Sequence, residues 1–211
     1  VTVSLDAIDE ATFAAITDSG HTVASVLAGI EAAESVGLGP IKINTVVRKG
    51  SNEDEILELI ERFSNRDIAV RFIEFMDVGN TNGWSLDEVV TADEIRDIIG
   101  SLEPLESPRN SDVAKRYTLP QGNEVGIITS VTEPFCKNCT RARISADGRL
   151  FTCLFANRGL DLLTPLRDGS SDSEIESMIR RHWEVRQDRY SEIRSEETVN
   201  RERVEMSYIG G

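Results

Sequence analysis

Three cysteines carry the strongest chemical signal: Cys136 and Cys139 form a CxxC, and Cys153 follows after thirteen residues. Two thiolates at that spacing can grip one metal centre from a single turn, and a third can return from a hairpin strand. Three protein ligands leave one iron of a 4Fe-4S cluster open to an oxygen or nitrogen of a substrate. A structural zinc site is the commoner meaning of CxxC in an intracellular protein, but it wants a fourth ligand. The two histidines, His21 and His182, lie far off in sequence. A carboxylate can fill that place, so iron and zinc both stay open. A catalytic thiol is less favoured, because no histidine-bearing motif neighbours the cysteines. Their odd number and clustering fit a metal site better than a disulfide framework. Between them, Arg141 and Arg143 share a face if TRARIS is extended. Planar guanidinium groups there can hold phosphates or a purine beside the metal. The bland alternative is a solvated pair on a hairpin.

The elements that must position these residues change character along the chain. Val1 to Leu5 reads as a strand, Thr22 to Val36 as a helix stopped by Gly37, Ile41 to Val47 as a strand and Asn52 to Phe63 as a helix. The first helix puts Val23, Val26, Leu27, Ile30 and Ala33 on one face. The second has Asn52, Glu53, Asp54 and Glu55 at its positive end. Ile68 to Phe75 closes a third βα unit, and consecutive units of this kind predict a parallel sheet, as a barrel or doubly wound. Asp77 to Glu88 reads as loop, and Thr91 to Ile99 as a short helix with Thr91 and Glu94 as its capping box. Beyond it, Ala114 to Leu119 and Glu124 to Val131 flank a turn at 120–123, and Asp147-Gly148 marks a second hairpin. Asp172 to Arg186 reads as a helix started by Asp172 or Ser173. Strand alternation places Lys42 with Asn44, opposite Ile41 and Ile43. A lysine pointing into a barrel is costly unless an anion meets it.

Four segments together form a recognisable pattern: RFIEFMDVGNTNGW, SDVAKRYTLPQG, ITSVTEPFCKNCTRARISADGRLFTCLF and the terminal GG. On them the chain resembles the C-terminal two-thirds of the GTP 3′,8-cyclase family of radical-SAM enzymes, which opens molybdenum cofactor biosynthesis. The resemblance runs over essentially all 211 residues. It implies an α/β fold: a partial radical-SAM, TIM-like βα barrel over residues 1–100, then an α+β region over 101–211 with antiparallel hairpins, an auxiliary iron-sulfur site and a Gly-Gly tail. The implied reaction converts GTP to 3′,8-cyclo-7,8-dihydro-GTP with a 5′-deoxyadenosyl radical made from S-adenosylmethionine at a second, N-terminal 4Fe-4S cluster. The resemblance further implies that Cys136, Cys139 and Cys153 hold the auxiliary 4Fe-4S cluster and that Arg141 and Arg143 contact GTP. By the same matching, Lys42 and Arg71 bind its triphosphate, Ser4 and Met76 contact S-adenosylmethionine, and Gly210 and Gly211 enter the active site. Without the family, Ser4 reads as strand filler, Met76 as core, Arg71 as a surface partner for Glu74 or another acid, and the glycines as a frayed end. No catalytic residue is assigned.

The CxxxCxxC of the family's first cluster is absent, and the chain opens on a strand without Met. An upstream segment is therefore expected, with the polypeptide inactive by itself and prone to aggregate at exposed sheet edges. With 23 basic and 37 acidic side chains the formal charge is −14, which disfavours nucleic acid and anionic membranes as partners. Neither a signal peptide nor an apolar run long enough to span a membrane is visible, so a cytoplasmic protein is expected. Oligomeric state, a homodimer included, and the electron donor stay open. Two other readings are a noncatalytic zinc-stabilised binding module and a different radical-SAM maturase acting on a peptide.

Overall fold

A computed structural model describes residues 1–17, 19–80, 83–106, 108, 112–194 and 204–209. They divide into two compact units, residues 1–76 with 85–134, and residues 77–84 with 135–211.

The first unit begins with β1 (Thr2–Ser4), α1 (Glu10–Thr17), α2 (Val23–Ser35), β2 (Ile41–Val47), α3 (Ile56–Arg62) and β3 (Ile68–Glu74). It continues with α4 (Ala92–Ile99), β4 (Glu103–Leu105), β5 (Lys115–Thr118) and β6 (Glu124–Ile128). Among the described residues its strands form a six-stranded sheet in the order β1-β2-β3-β6-β5-β4. The first four in that order run parallel, and β5 and β4 add antiparallel edges. The fold is thus mixed α/β, and the sheet started by the βα units continues across residue 100 into β6. Ile41, Ile43 and Val47 of β2, Val70 and Phe72 of β3, and Val125 and Ile127 of β6 are buried. They belong to one core with Ile30 of α2, Leu59 of α3 and Ile95 of α4. Period-two alternation sends every second side chain of these strands to the opposite face.

Local chemistry explains the boundaries. The Thr22 hydroxyl accepts from the Ser25 N–H to cap α2, and Thr91 with Glu94 makes the reciprocal capping box of α4. Asn52 does not cap the following helix. Its amide donates to the carbonyls of Asp6 (2.7 Å) and Val46 (2.8 Å) and its oxygen accepts from the Arg48 N–H (2.8 Å). The acids after it form a 3₁₀ turn over Glu53–Glu55 before α3 starts. Glu55 takes the Ile8 N–H at 2.7 Å. Glu74 is fully buried and accepts from the backbone N–H groups of Ala92 (2.8 Å), Val131 (2.7 Å) and Thr132 (2.9 Å) and from the Thr132 hydroxyl. It is therefore not the surface partner of Arg71. α1 and β4 were not expected from the sequence.

In the second unit, β7 (Arg143–Ile144), β8 (Arg149–Phe151) and β9 (Leu160–Asp161) form a three-stranded antiparallel sheet, followed by α5 (Leu163–Arg167) and α6 (Asp172–Glu184). The Asp147-Gly148 turn lies where the sequence puts it, with Gly148 at φ 74°. The cap of α6 is Ser171, one or two residues before the expected Asp172 or Ser173, boxed with Glu174. Asp77 is buried, accepting from Tyr190 Oη and from Arg194 Nε at 2.8 Å. No helix among the described residues is long and apolar enough to cross a membrane.

Two stability predictions follow from these polar anchors. Glu74→Ala strands one buried and two part-buried N–H groups and should cost about 2 kcal/mol or more in chemical denaturation. In the capping box, hydrogen bonds from the Thr91 backbone N–H, then from Lys49 and the Thr91 hydroxyl, hold Glu94 down from 4.5 to about 2. A folded value below the unfolded one stabilises above pH 4.5, and that contribution drains away as pH falls toward 2. An acid titration monitored by helix circular dichroism should therefore be shallower in Glu94→Gln across that window.

Candidate functional site

The open face of the first unit is built by alternation and register together. Facing away from the core are Thr2 and Ser4 of β1, Lys42 and Asn44 of β2, Arg71 of β3, Glu124 and Gly126 of β6, and Arg116 of β5. Backbone pairing sets Thr2 beside Lys42, and Ser4, Asn44 and Arg71 in a single lateral row. Arg71 Nε donates to Asn44 Oδ1 at 2.9 Å, and its Nη2 reaches Thr2 Oγ1 at 3.4 Å. Burial pulls the Arg71 guanidinium below its ordinary value, against the opposing charges of Glu124 and Asp112. Glu124 is chelated by Arg116, Nε to Oε1 at 2.8 Å and Nη2 to Oε2 at 2.6 Å. That bond, outweighing burial, leads in lowering its carboxyl, and Lys42 and Arg71 add to it. Three cations thus converge near one chelated carboxylate on a face of an otherwise acidic chain. Such a face suits a multiply charged anion.

Ser4 is exposed at the C-terminal end of β1, and Met76 is half-buried two residues beyond β3. Lys42 and Arg71, assigned to one phosphate site by the resemblance, do lie on one face of adjacent strands. Sequence reasoning missed Arg116 and Glu124. Their visible signal was the spacing of two charged residues on either arm of the hairpin at 120–123, which pairs Arg116 with Gly126 and Thr118 with Glu124.

In the second unit, Cys136 opens a 3₁₀ turn, Cys136–Asn138, and the Cys139 N–H closes it onto the Cys136 carbonyl at 3.2 Å. Cys153 lies two residues past β8, and its sulfur accepts from the Phe155 N–H at 3.5 Å. All three thiols are half-buried and free. Burial acts to raise Cys139, yet hydrogen bonds from the Arg141 backbone and guanidinium, with the charges of Arg141 and Arg186, leave it below the ordinary thiol value. Burial pushes Cys153 up to about 11, and the charges of Asp188, Cys136 and Cys139 act the same way. Arg143 is lowered by burial and then by Arg141, while Cys139 and Cys153 oppose. Arg141 also stands over the Phe135 ring, 4.8 Å from its centroid. Arg186, unremarked in the sequence, donates to the Cys139 carbonyl and packs 3.7 Å over Trp183.

The three thiols and the guanidinium groups therefore influence one another. Among the described residues, however, no three His, Cys, Asp or Glu side chains close on a single ion. The donor chemistry still suits a thiolate-bound centre: two sulfurs take backbone N–H groups and cations face them. Gly210 and Gly211 lie outside the described residues.

Comparison with known proteins adds three relatives and one family. The family described as Molybdenum Cofactor Synthesis C matches residues 68–192. A protein named GTP 3′,8-cyclase from Xanthomonas campestris pv. campestris (strain B100) is 45% identical over 215 residues, covering 100% of this chain and 63% of the relative. The namesake from Staphylococcus aureus (strain MRSA252) is 42% identical over 219 residues, with 100% and 64% covered. That from Xanthomonas axonopodis pv. citri (strain 306) is 44% identical over 215 residues, again with 100% and 64% covered. The chain thus spans somewhat less than two thirds of the length of these relatives.

Arg71→Met tests the anion face. Calorimetric affinity for inorganic tripolyphosphate should fall about tenfold or more, while resistance to denaturant should hold or rise, since a desolvated charge is replaced by an apolar stem.

Proposed function

This chain belongs to the Molybdenum Cofactor Synthesis C family, and on that premise we propose that it serves a GTP 3′,8-cyclase, the lyase that begins molybdenum cofactor biosynthesis. The observation that carries the reading is similarity along the whole of this chain to about two thirds of the length of proteins of that name, joined to three thiols with arginines beside them. The six-stranded sheet is part of a radical-SAM βα barrel, a reading supported by its four parallel strands and the helices between them.

On the first unit, Lys42 and Arg71 take the triphosphate of GTP, with Asn44 and Thr2 orienting the guanidinium. Ser4 and Met76 stand at strand ends as contacts for S-adenosylmethionine. On the second unit, Arg141 and Arg143 contact GTP, and Cys136, Cys139 and Cys153 hold an auxiliary 4Fe-4S cluster. When bound, a cluster with three cysteine ligands offers one iron to a purine nitrogen or oxygen. Arg141 and Arg186 favour the thiolate form of Cys139 that such binding needs. Gly210 and Gly211 complete the assignment as active-site tail residues. The 211 residues contain three cysteines, all committed to this centre, so the thiolates of a cluster that cleaves S-adenosylmethionine must come from other residues.

The test is anaerobic reconstitution of the full-length protein, followed by incubation with GTP, S-adenosylmethionine and reductant. Formation of 3′,8-cyclo-7,8-dihydro-GTP is expected, together with iron and sulfide lost from the auxiliary site in Cys153→Ala. Arg143→Ala should weaken GTP binding about tenfold or more. The 211-residue chain alone should turn nothing over. Stoichiometric zinc without iron or sulfide, or indifference to GTP, would replace the reading with that of a zinc-stabilised binding module.

A further inference from the structure

One row of residues crosses the whole sheet of the first unit: Ser4, Asn44, Arg71, Gly126, Arg116 and Leu105 are successive backbone partners. Gly126 lies between two arginines in that row, in the interior of a central strand, where a glycine weakens the strand and packs nothing. Its backbone is not left-handed, so conformation does not require glycine there. Space does. A Cβ at this position would stand 2.9 Å from Arg71 Cγ, 3.4 Å from Arg71 Cδ and 3.3 Å from Ala114 Cβ.

The 2.9 Å contact falls on a stem atom, not on the mobile end of the side chain. Arg71 cannot retreat with its backbone, because β3 is paired on both sides. Nor can its head shift freely, because Nε is bonded to Asn44 Oδ1 and Nη2 reaches Thr2 Oγ1. A methyl group at 126 must therefore turn the Arg71 stem to another rotamer and break the bond to Asn44.

We propose that Gly126 is a positioning residue for the anion site: the missing side chain leaves the trough in which the Arg71 stem lies, and this aims the guanidinium over β2 toward Thr2, beside Lys42. The inference rests on the reading of Arg71 as a polyphosphate ligand.

Calorimetric titration of the full chain with GTP and with inorganic tripolyphosphate tests it in Gly126→Ala, Arg71→Ala and the double variant. Gly126→Ala should weaken tripolyphosphate about tenfold, with unchanged far-ultraviolet circular dichroism. In the Arg71→Ala background the same substitution should cost no further affinity, since the stem it displaces has gone and only the 3.3 Å approach to Ala114 Cβ stays. Equal losses in both backgrounds, or wild-type affinity in Gly126→Ala beside a loss in Arg71→Ala, would overturn the role of Gly126 and leave Arg71 as a ligand. Wild-type affinity in Arg71→Ala would remove the underlying reading and this inference with it. If Gly126→Ala does not fold, the double variant should fold and melt with Arg71→Ala; its failure to do so would also overturn the proposal.

Discussion

Successive side chains of an extended strand must point to opposite faces, and in β2 that constraint separates Ile41, Ile43 and Val47 from Lys42 and Asn44. The apolar set fixes which face meets the helices, because a slip of one residue would drive Lys42 into the core. Once that register is set, the neighbouring strands have no freedom left. Thr2 must stand beside Lys42, and Ser4, Asn44, Arg71, Gly126 and Arg116 must fall into line. Hydrophobic burial on one face therefore determines the polar geometry of the other, although the core residues point away from it.

The charge pattern works against the chain's overall balance. At −14, the chain repels anions from most of its surface, and any face that is to attract one needs a local reversal of sign. On the sheet face Lys42, Arg71 and Arg116 supply it, with Glu124 holding Arg116 in place. In the second unit Arg141, Arg143 and Arg186 gather around thiols, which share their preference for a positive field. Arg186 acts from outside the cysteine segment, its guanidinium lying over the Trp183 ring and donating to the Cys139 carbonyl.

Much of this was legible in the sequence where a short-range signal exists. β2 carries a clean alternation and lies at its expected bounds, and the Thr91-x-x-Glu94 box marks α4. The second hairpin follows from Asp147-Gly148. The misses come from a weak local signal or from partners distant in sequence. α1 lies in a segment with one buried residue, Phe13, too weak a stripe to declare a helix. β4 is an exposed three-residue edge whose existence depends on pairing with β5. Asn52 reads as a helix cap, but tertiary contacts claim its side chain for two carbonyls and an N–H of the β1 and β2 ends. Of the candidate residues, the cysteines and Lys42 stood out by spacing and alternation. Arg116, Arg186 and Gly126 gained meaning only from residues many positions away.

Buried acids finish the positioning at the strand ends. Glu74 gathers three backbone N–H groups from the start of α4 and the segment after β6, two residues before Met76. Glu55 gathers the N–H groups after β1, and Asp6 takes that of Val46 at 2.8 Å. A carboxylate in such a place is stabilised by the donors it satisfies and is costly without them. It therefore fixes the loops in one arrangement more stringently than apolar contacts, which tolerate sliding. Ser4 and Met76 sit beside these anchored ends, so their placement depends on polar groups that themselves need touch no ligand. A substitution at Glu74 or Asn52 would then shift the loops at these strand ends without touching Met76 or Ser4.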